Sequence, residues 1–109
     1  EAIVPEVKGK AEVVVDGSIL RGSDVIKAVA LGANAVSIGK LQGWGLAAGG
    51  APGLTRTLQI MEEEIISAMA LLGVTQVDQL NKDYITSAEA VAPPHEYSTW
   101  VNMPEGRML

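Results

Sequence analysis

Apolar and polar positions divide the chain into three well-patterned stretches. Val13, Val14 and Val15 form a short β-branched run that stops at Asp16-Gly17. An uninterrupted apolar run with a turn signal behind it predicts a strand buried on both faces. Val25, Ile26, Ala28, Val29, Ala30 and Leu31 follow as a mostly apolar helix. Ser23 is its predicted N-cap, Asp24 suits the positive end of its dipole, and Gly32 is its stop. Ala35 to Ile38 predict a second buried strand, closed by Gly39. Strand, helix and strand over residues 13–38 make one βαβ unit, with parallel strands and a right-handed crossover.

Residues 42–50 are too rich in glycine for a long helix, though a short helical turn fits there. Pro52 suits a first helical position, and a long helix is predicted from there to about Leu72. Leu54, Leu58, Met61, Ile65, Met69 and Leu72 are spaced 4, 3, 4, 4 and 3, which puts them on one face. Glu62, Glu63 and Glu64 read as a solvated face, since three consecutive helical residues point in different directions. Gly73 marks the stop, and a short helix is predicted over residues 76–80. Pro93, Pro94 and Pro104 then break any regular pattern, so residues 1–86 read as the folded part and 87–109 as an extended tail.

Composition narrows the function classes. Of 109 residues, 48% are hydrophobic and 19% charged, which describes a globular chain; aromatics are only 4%, with no Phe. The net charge of −5 argues against nucleic acid and anionic membrane surfaces as partners. No run of 18 apolar residues predicts a membrane span. Without cysteine there is no disulfide, thiolate metal site or thiol nucleophile, which is compatible with the expected cytoplasmic location. The chain opens on Glu1 with no signal-peptide pattern, and the simplest expectation is that it begins inside a longer polypeptide.

The candidate chemistry lies at the two strand ends. Asp16-Gly17-Ser18 follows the first strand and leads to Arg21 at a helix start, while Gly39-Lys40 follows the second strand directly. Ligands of parallel α/β folds bind beyond the C-terminal ends of the strands. Glycine lets backbone N–H groups approach an anion, and Lys40 and Arg21 could add full positive charge. This layout suggests a phosphate held between two adjacent βα loops; ordinary tight turns would give the same spacing.

Residues 16–40, Asp-Gly-Ser-Ile-Leu-Arg-Gly-Ser-Asp through Lys-Ala-Val-Ala-Leu-Gly-Ala to Ser-Ile-Gly-Lys, closely resemble a stretch of the FMN-dependent α-hydroxy-acid oxidases and dehydrogenases. Trp44–Gly50 and Met69–Gly73 resemble that family's next blocks, so the resemblance covers about residues 11–80. It implies the C-terminal portion of a (β/α)8 TIM barrel, strands 7 and 8 with their helices. It implies FMN as cofactor, with Asp16, Gly17 and the Ser18 backbone along the ribityl chain and phosphate, Gly39 and Lys40 on the phosphate, and Arg21 beside them. The activity implied is oxidation of a 2-hydroxy acid to a 2-oxo acid.

The family pattern differs at Ser18, where a glycine is usual; at Leu20 and Lys40, where arginines are usual; and at Leu41, where proline is usual. Lysine keeps the charge of an arginine but not its two-pronged hydrogen bonding. The family's histidine base and substrate-binding arginine would lie upstream of Glu1, so no catalytic residue is expected here. His95 reads as an exposed tail histidine, and Tyr97 and Trp100 as residues that pack on the parent domain or a neighbouring subunit. The expected partners are a second chain or fragment carrying the rest of the barrel, a small 2-hydroxy acid, and further copies in a homo-oligomer. The alternatives are a non-catalytic assembly subunit or degenerate barrel, and another phosphate-binding barrel enzyme resembling type 2 isopentenyl-diphosphate isomerase or inosine-monophosphate dehydrogenase.

Overall fold

The computed structural model describes residues 3–7 and 10–87. The elements run α1 (Ile3–Val7), β1 (Val14–Asp16), α2 (Gly22–Ala30), β2 (Ala35–Ser37) and α3 (Lys40–Leu72), followed by two single 3-10 turns, Val77–Gln79 and Lys82–Tyr84. The tail and the roles expected of His95, Tyr97 and Trp100 lie outside the described residues.

β1 and β2 pair in parallel as predicted, with Val14 opposite Ala35, Val15 opposite Val36 and Asp16 opposite Ser37. Asn34 sets this register from the turn before β2. Its side-chain oxygen accepts from the Val13 N–H at 2.7 Å. Its own N–H donates to the Val13 carbonyl at 2.8 Å.

Helix α2 starts one turn position earlier than the sequence suggests. Arg21, not Ser23, is the N-cap residue, and Ser23 lies inside the helix. The Asp24 carboxylate explains the shift. Its Oδ2 accepts from the N–H groups of Leu20, at 3.1 Å, and Arg21, at 2.9 Å, so the chain turns into the helix before Ser23.

The stretch 42–50 is more helical than its glycines suggest. Helical hydrogen bonding runs from Lys40 and is interrupted only at Gly49 and Gly50, where the backbone leaves the helical region before the long arm to Leu72 begins. Gly45 and Gly53 pack against one another across this break: a Cβ on Gly53 would strike the Gly45 carbonyl oxygen, and one on Gly45 would strike the Thr57 hydroxyl. The small residues let the two arms of α3 touch along their backbones, and this contact offsets their poor helix propensity.

Packing is one-sided. Ile26, Ala30, Val74 and Leu80 are buried together, with Val29, Ile65, Ala68, Met69, Leu72 and Ile85 against them. This core joins α2 to the long arm of α3 and to the segment that follows it. Full burial of a side chain the size of Ile26, Val74 or Leu80 contributes about 1.5–3 kcal/mol of hydrophobic stabilisation, and the alanines contribute less. The predicted stripe of α3 holds at Met61, Ile65, Met69 and Leu72, whereas Leu58 is 48% exposed.

Within the described residues the strands are covered on one face only, not on both. Val15 and Val36 are half-buried, but Val14, Asp16, Ala35 and Ser37 are exposed, Val14 to 59%. Helices cover one face of this pair of strands, and no other described element covers the second.

Candidate functional site at the strand ends

Parallel pairing brings the two βα loops side by side. Asp16 and Ser37 are register partners on strands about 4.8 Å apart, and each strand leads within two residues into its loop. Gly17 has φ 99° and Ser18 φ 59°, so the backbone passes through the left-handed region twice in succession. Gly17 adopts this freely. Ser18 does so at a cost of about 1 kcal/mol or more, which accounts for the glycine usual at that position in the resembling family.

The second loop is shorter. Gly39 is the N-cap of α3 and Lys40 its first residue. The Gly43 N–H donates to the Gly39 carbonyl at 3.1 Å, closing the first helical turn. The first N–H groups of a helix reach no carbonyl a turn behind them, and the positive end of the helix dipole lies there. A Cβ built on Gly17 or on Gly39 would meet no atom within 4 Å, so both loops face open space. Asp16, Gly17, Ser18, Gly39 and Lys40 are all exposed on this side.

Arg21 is placed differently. Its Nη2 donates to Glu64 Oε1 of α3 at 2.7 Å, and the adjacent Gly22 N–H donates to Glu64 Oε2 at 2.7 Å. The Arg21 hydrogen bond, followed by that of Gly22, holds the Glu64 carboxyl below the ordinary carboxylate range, and the same pairing raises the Arg21 guanidinium. The expectation of a solvated acidic face thus holds for Glu62 and Glu63 but not for Glu64, which is half-buried. The sequence did carry a signal for it. Glu64 is three residues after Met61 and four before Ala68, both on the packed side of α3.

Leu20, in place of the usual arginine, is half-buried. It lines a cavity of about 390 Å³ with Arg21, Leu41, Thr57, Ile60, Met61 and Glu64. Among the described residues no group of three or more His, Cys, Asp or Glu could hold a metal ion. No helix among them is long and apolar enough to cross a membrane.

Comparison with known proteins decides the family. The model of the FMN-dependent dehydrogenases matches residues 1–87. The chain belongs to that family. It is 46% identical over 83 residues to an L-lactate oxidase from Nostoc, covering 76% of this chain and 23% of the relative. Against human 2-hydroxyacid oxidase 1 the identity is also 46% over 83 residues, covering 76% of this chain and 22% of the relative.

Among solved structures, a soluble mutant of the membrane-associated (S)-mandelate dehydrogenase from Pseudomonas putida superposes with a TM-score of 0.70 at 36% identity, covering 75% of this chain and 24% of that one. A flavocytochrome b2 variant with sulfite bound superposes with a TM-score of 0.73 at 35% identity, covering 87% of this chain and 26% of that one. The chain thus spans about a quarter of the length of these relatives. Its two parallel strands and their helices match part of the barrel in those structures.

Proposed function

We propose that this chain supplies the flavin-phosphate end of an FMN-dependent enzyme that oxidises a 2-hydroxy acid to a 2-oxo acid. Its strands would be the seventh and eighth of the barrel. The observation that carries the reading is the adjacency of the Asp16–Ser18 and Gly39–Lys40 loops at neighbouring strand ends, both open to solvent. The residues fit a phosphate. The helix α3 starts at one side of the gap with no side-chain cap, Lys40 brings a positive charge, and the left-handed turn at Gly17-Ser18 lies on the other. Asp16 stands at the strand end, where it suits hydroxyl groups of a ribityl chain. Arg21 frames the site through its bond to Glu64.

When bound, FMN would accept the hydride equivalent from the substrate. This chain would hold and orient it but would not exchange a proton with the substrate, because neither strand-end loop carries a histidine base. The base, the substrate-binding arginine and the remaining strands belong to the rest of the barrel, on the same polypeptide or on a partner. A cytoplasmic homo-oligomer of the completed barrel is the assembly we propose.

The test uses the polypeptide with its complete barrel. Replacing Lys40 by Gln is expected to weaken FMN binding about tenfold, the value of one charge-assisted hydrogen bond, and to leave riboflavin binding unchanged. Flavin absorbance bleached anaerobically by a 2-hydroxy acid supports the catalytic half of the reading. A colourless protein that takes up neither flavin defeats it. One observation favours a second reading, a non-catalytic barrel piece kept for assembly. Leu20 stands where the resembling family places a phosphate-binding arginine, so one of the usual charges is gone, and the Arg21 beside it in the same cavity is paired with Glu64.

A further inference from the structure

We propose that Glu64 is a positioning residue for the anion-binding loop: from α3, its carboxylate fixes the backbone that follows Gly17-Ser18 by gripping Gly22 and Arg21 together. The inference rests on the reading of residues 16–18 and 39–40 as a phosphate site.

The geometry is specific to this one carboxylate. Both of its oxygens are used, Oε1 on the Arg21 guanidinium and Oε2 on the Gly22 N–H, each at 2.7 Å. Its neighbour Glu63 makes only an exposed pair with Arg56 on the same helix. The approach is as close as it can be. A Cβ on Gly22 would lie 2.6 Å from the Glu64 Cβ and 2.7 Å from the Ile65 nitrogen. Glu64 therefore reaches the loop because Gly22 has no side chain, and the two residues act as one contact across 42 positions of sequence.

Asp24 completes the grip. It accepts from the N–H groups of Leu20 and Arg21, so three successive backbone donors, Leu20, Arg21 and Gly22, end on two carboxylates. Ile19 is buried. The left-handed pair Gly17-Ser18 is thus held between the strand end at Asp16 and an anchored segment from Ile19 to Gly22. A non-glycine residue stays in that region only where its surroundings over-determine it. Releasing Gly22 loosens one flank, Ser18 can relax out of the left-handed region, and the backbone facing the phosphate moves. Glu64 acts on the anion without touching it.

The experiment compares dissociation constants for FMN and for riboflavin, which lacks the phosphate, in the intact protein and in its Glu64→Gln variant. FMN binding is expected to weaken about fivefold or more, within the range of couplings between contacting residues, while riboflavin binding is unchanged. An equal loss for both flavins, or no loss for either, reduces Glu64 to a helix-packing contact and overturns the proposal. Tighter FMN binding overturns it too, because Arg21 would then be a phosphate ligand that Glu64 withholds.

An intact wild-type protein with no preference for FMN over riboflavin defeats the phosphate-site reading itself, and this proposal with it. If the variant does not fold, amide exchange of the wild-type protein decides. Protection of the Gly22 N–H in the flavin-free protein is the expected result. Protection that arises only when FMN is added shows that the ligand, not Glu64, orders the loop.

Discussion

The two strands end side by side, yet the helices that follow them begin in opposite ways. At the start of α2 the protein supplies its own anions. Asp24 accepts from Leu20 and Arg21, and Glu64 accepts from Gly22 and pairs with Arg21. At the start of α3 stand Gly39 and Lys40, with no side-chain cap on the helix and open space around Gly39. Both helix starts carry the same partial positive charge. One is closed by carboxylates from within the fold, and the other has no side-chain cap, which is where the proposed phosphate would sit. The proposed phosphate site thus pairs two loops of different kinds: a braced one that holds an unusual backbone shape, and an open one at a helix start beside Lys40.

This contrast can be broken in four places. The largest effect is expected at the brace. Gly22→Val would force its side chain into the Glu64 and Ile65 backbone region, push α2 from α3, and cost about 1–3 kcal/mol or more of stability. Denaturant midpoints of the intact protein would measure it, and a cost below ~0.5 kcal/mol would mean that the helices are not in contact there.

At the open loop, the loss of FMN affinity in Lys40→Gln should shrink as salt is raised, since an exposed charge is screened within about 8 Å at physiological ionic strength. A salt-independent loss would argue against a direct ionic contact. Thermal stability in that variant should change by no more than about 0.5 kcal/mol.

Gly17→Ala comes next. Nothing lies within 4 Å of a Cβ at this position, so any cost comes from the backbone at φ 99°, about 1 kcal/mol. Equal stability of the two proteins would show that the turn relaxes without penalty.

The smallest effect is pH dependence of the brace. Glu64 has its carboxyl held below the ordinary range by Arg21 and Gly22. Its contribution is therefore complete above the usual carboxylate pKa and is lost as pH falls through the lowered value. Stability of the wild-type protein should decline more steeply on that acid limb than stability of Glu64→Gln. Because the pair is largely exposed on the Arg21 side, the difference should be modest and should fade with salt. Parallel acid limbs would remove Glu64 from the account.

Much of this could be read along the chain. Short apolar runs ended by Asp16-Gly17 and Gly39, with an apolar helix between them, indicated a parallel βαβ unit because shortness, β-branched residues and flanking glycines distinguish such strands from helices. The order and spacing of residues 16–40, with the two later blocks, were enough to indicate the family. Local pattern also located the strand-end loops, since a βα loop follows its strand by necessity.

What only the folded structure decided is which groups the chain brings into contact. Ser23 has the chemistry of an N-cap, but Asp24, which accepts from two N–H groups ahead of it, moved the cap to Arg21. The glycines of residues 42–50 disfavour helix one at a time, and only the contact of Gly45 with Gly53 and Thr57 shows why two of them stand there. Val14 reads as core, and its face of β1 is uncovered in a chain that spans about a quarter of its relatives' length, because burial is a property of what lies opposite and not of the residue. Glu64 is the clearest case. By sequence it is one of three like charges on a helix. By structure it is the carboxylate that meets Arg21 and Gly22: its spacing from Met61 turns it to the packed side, and helix packing determines that this side faces the loop after β1.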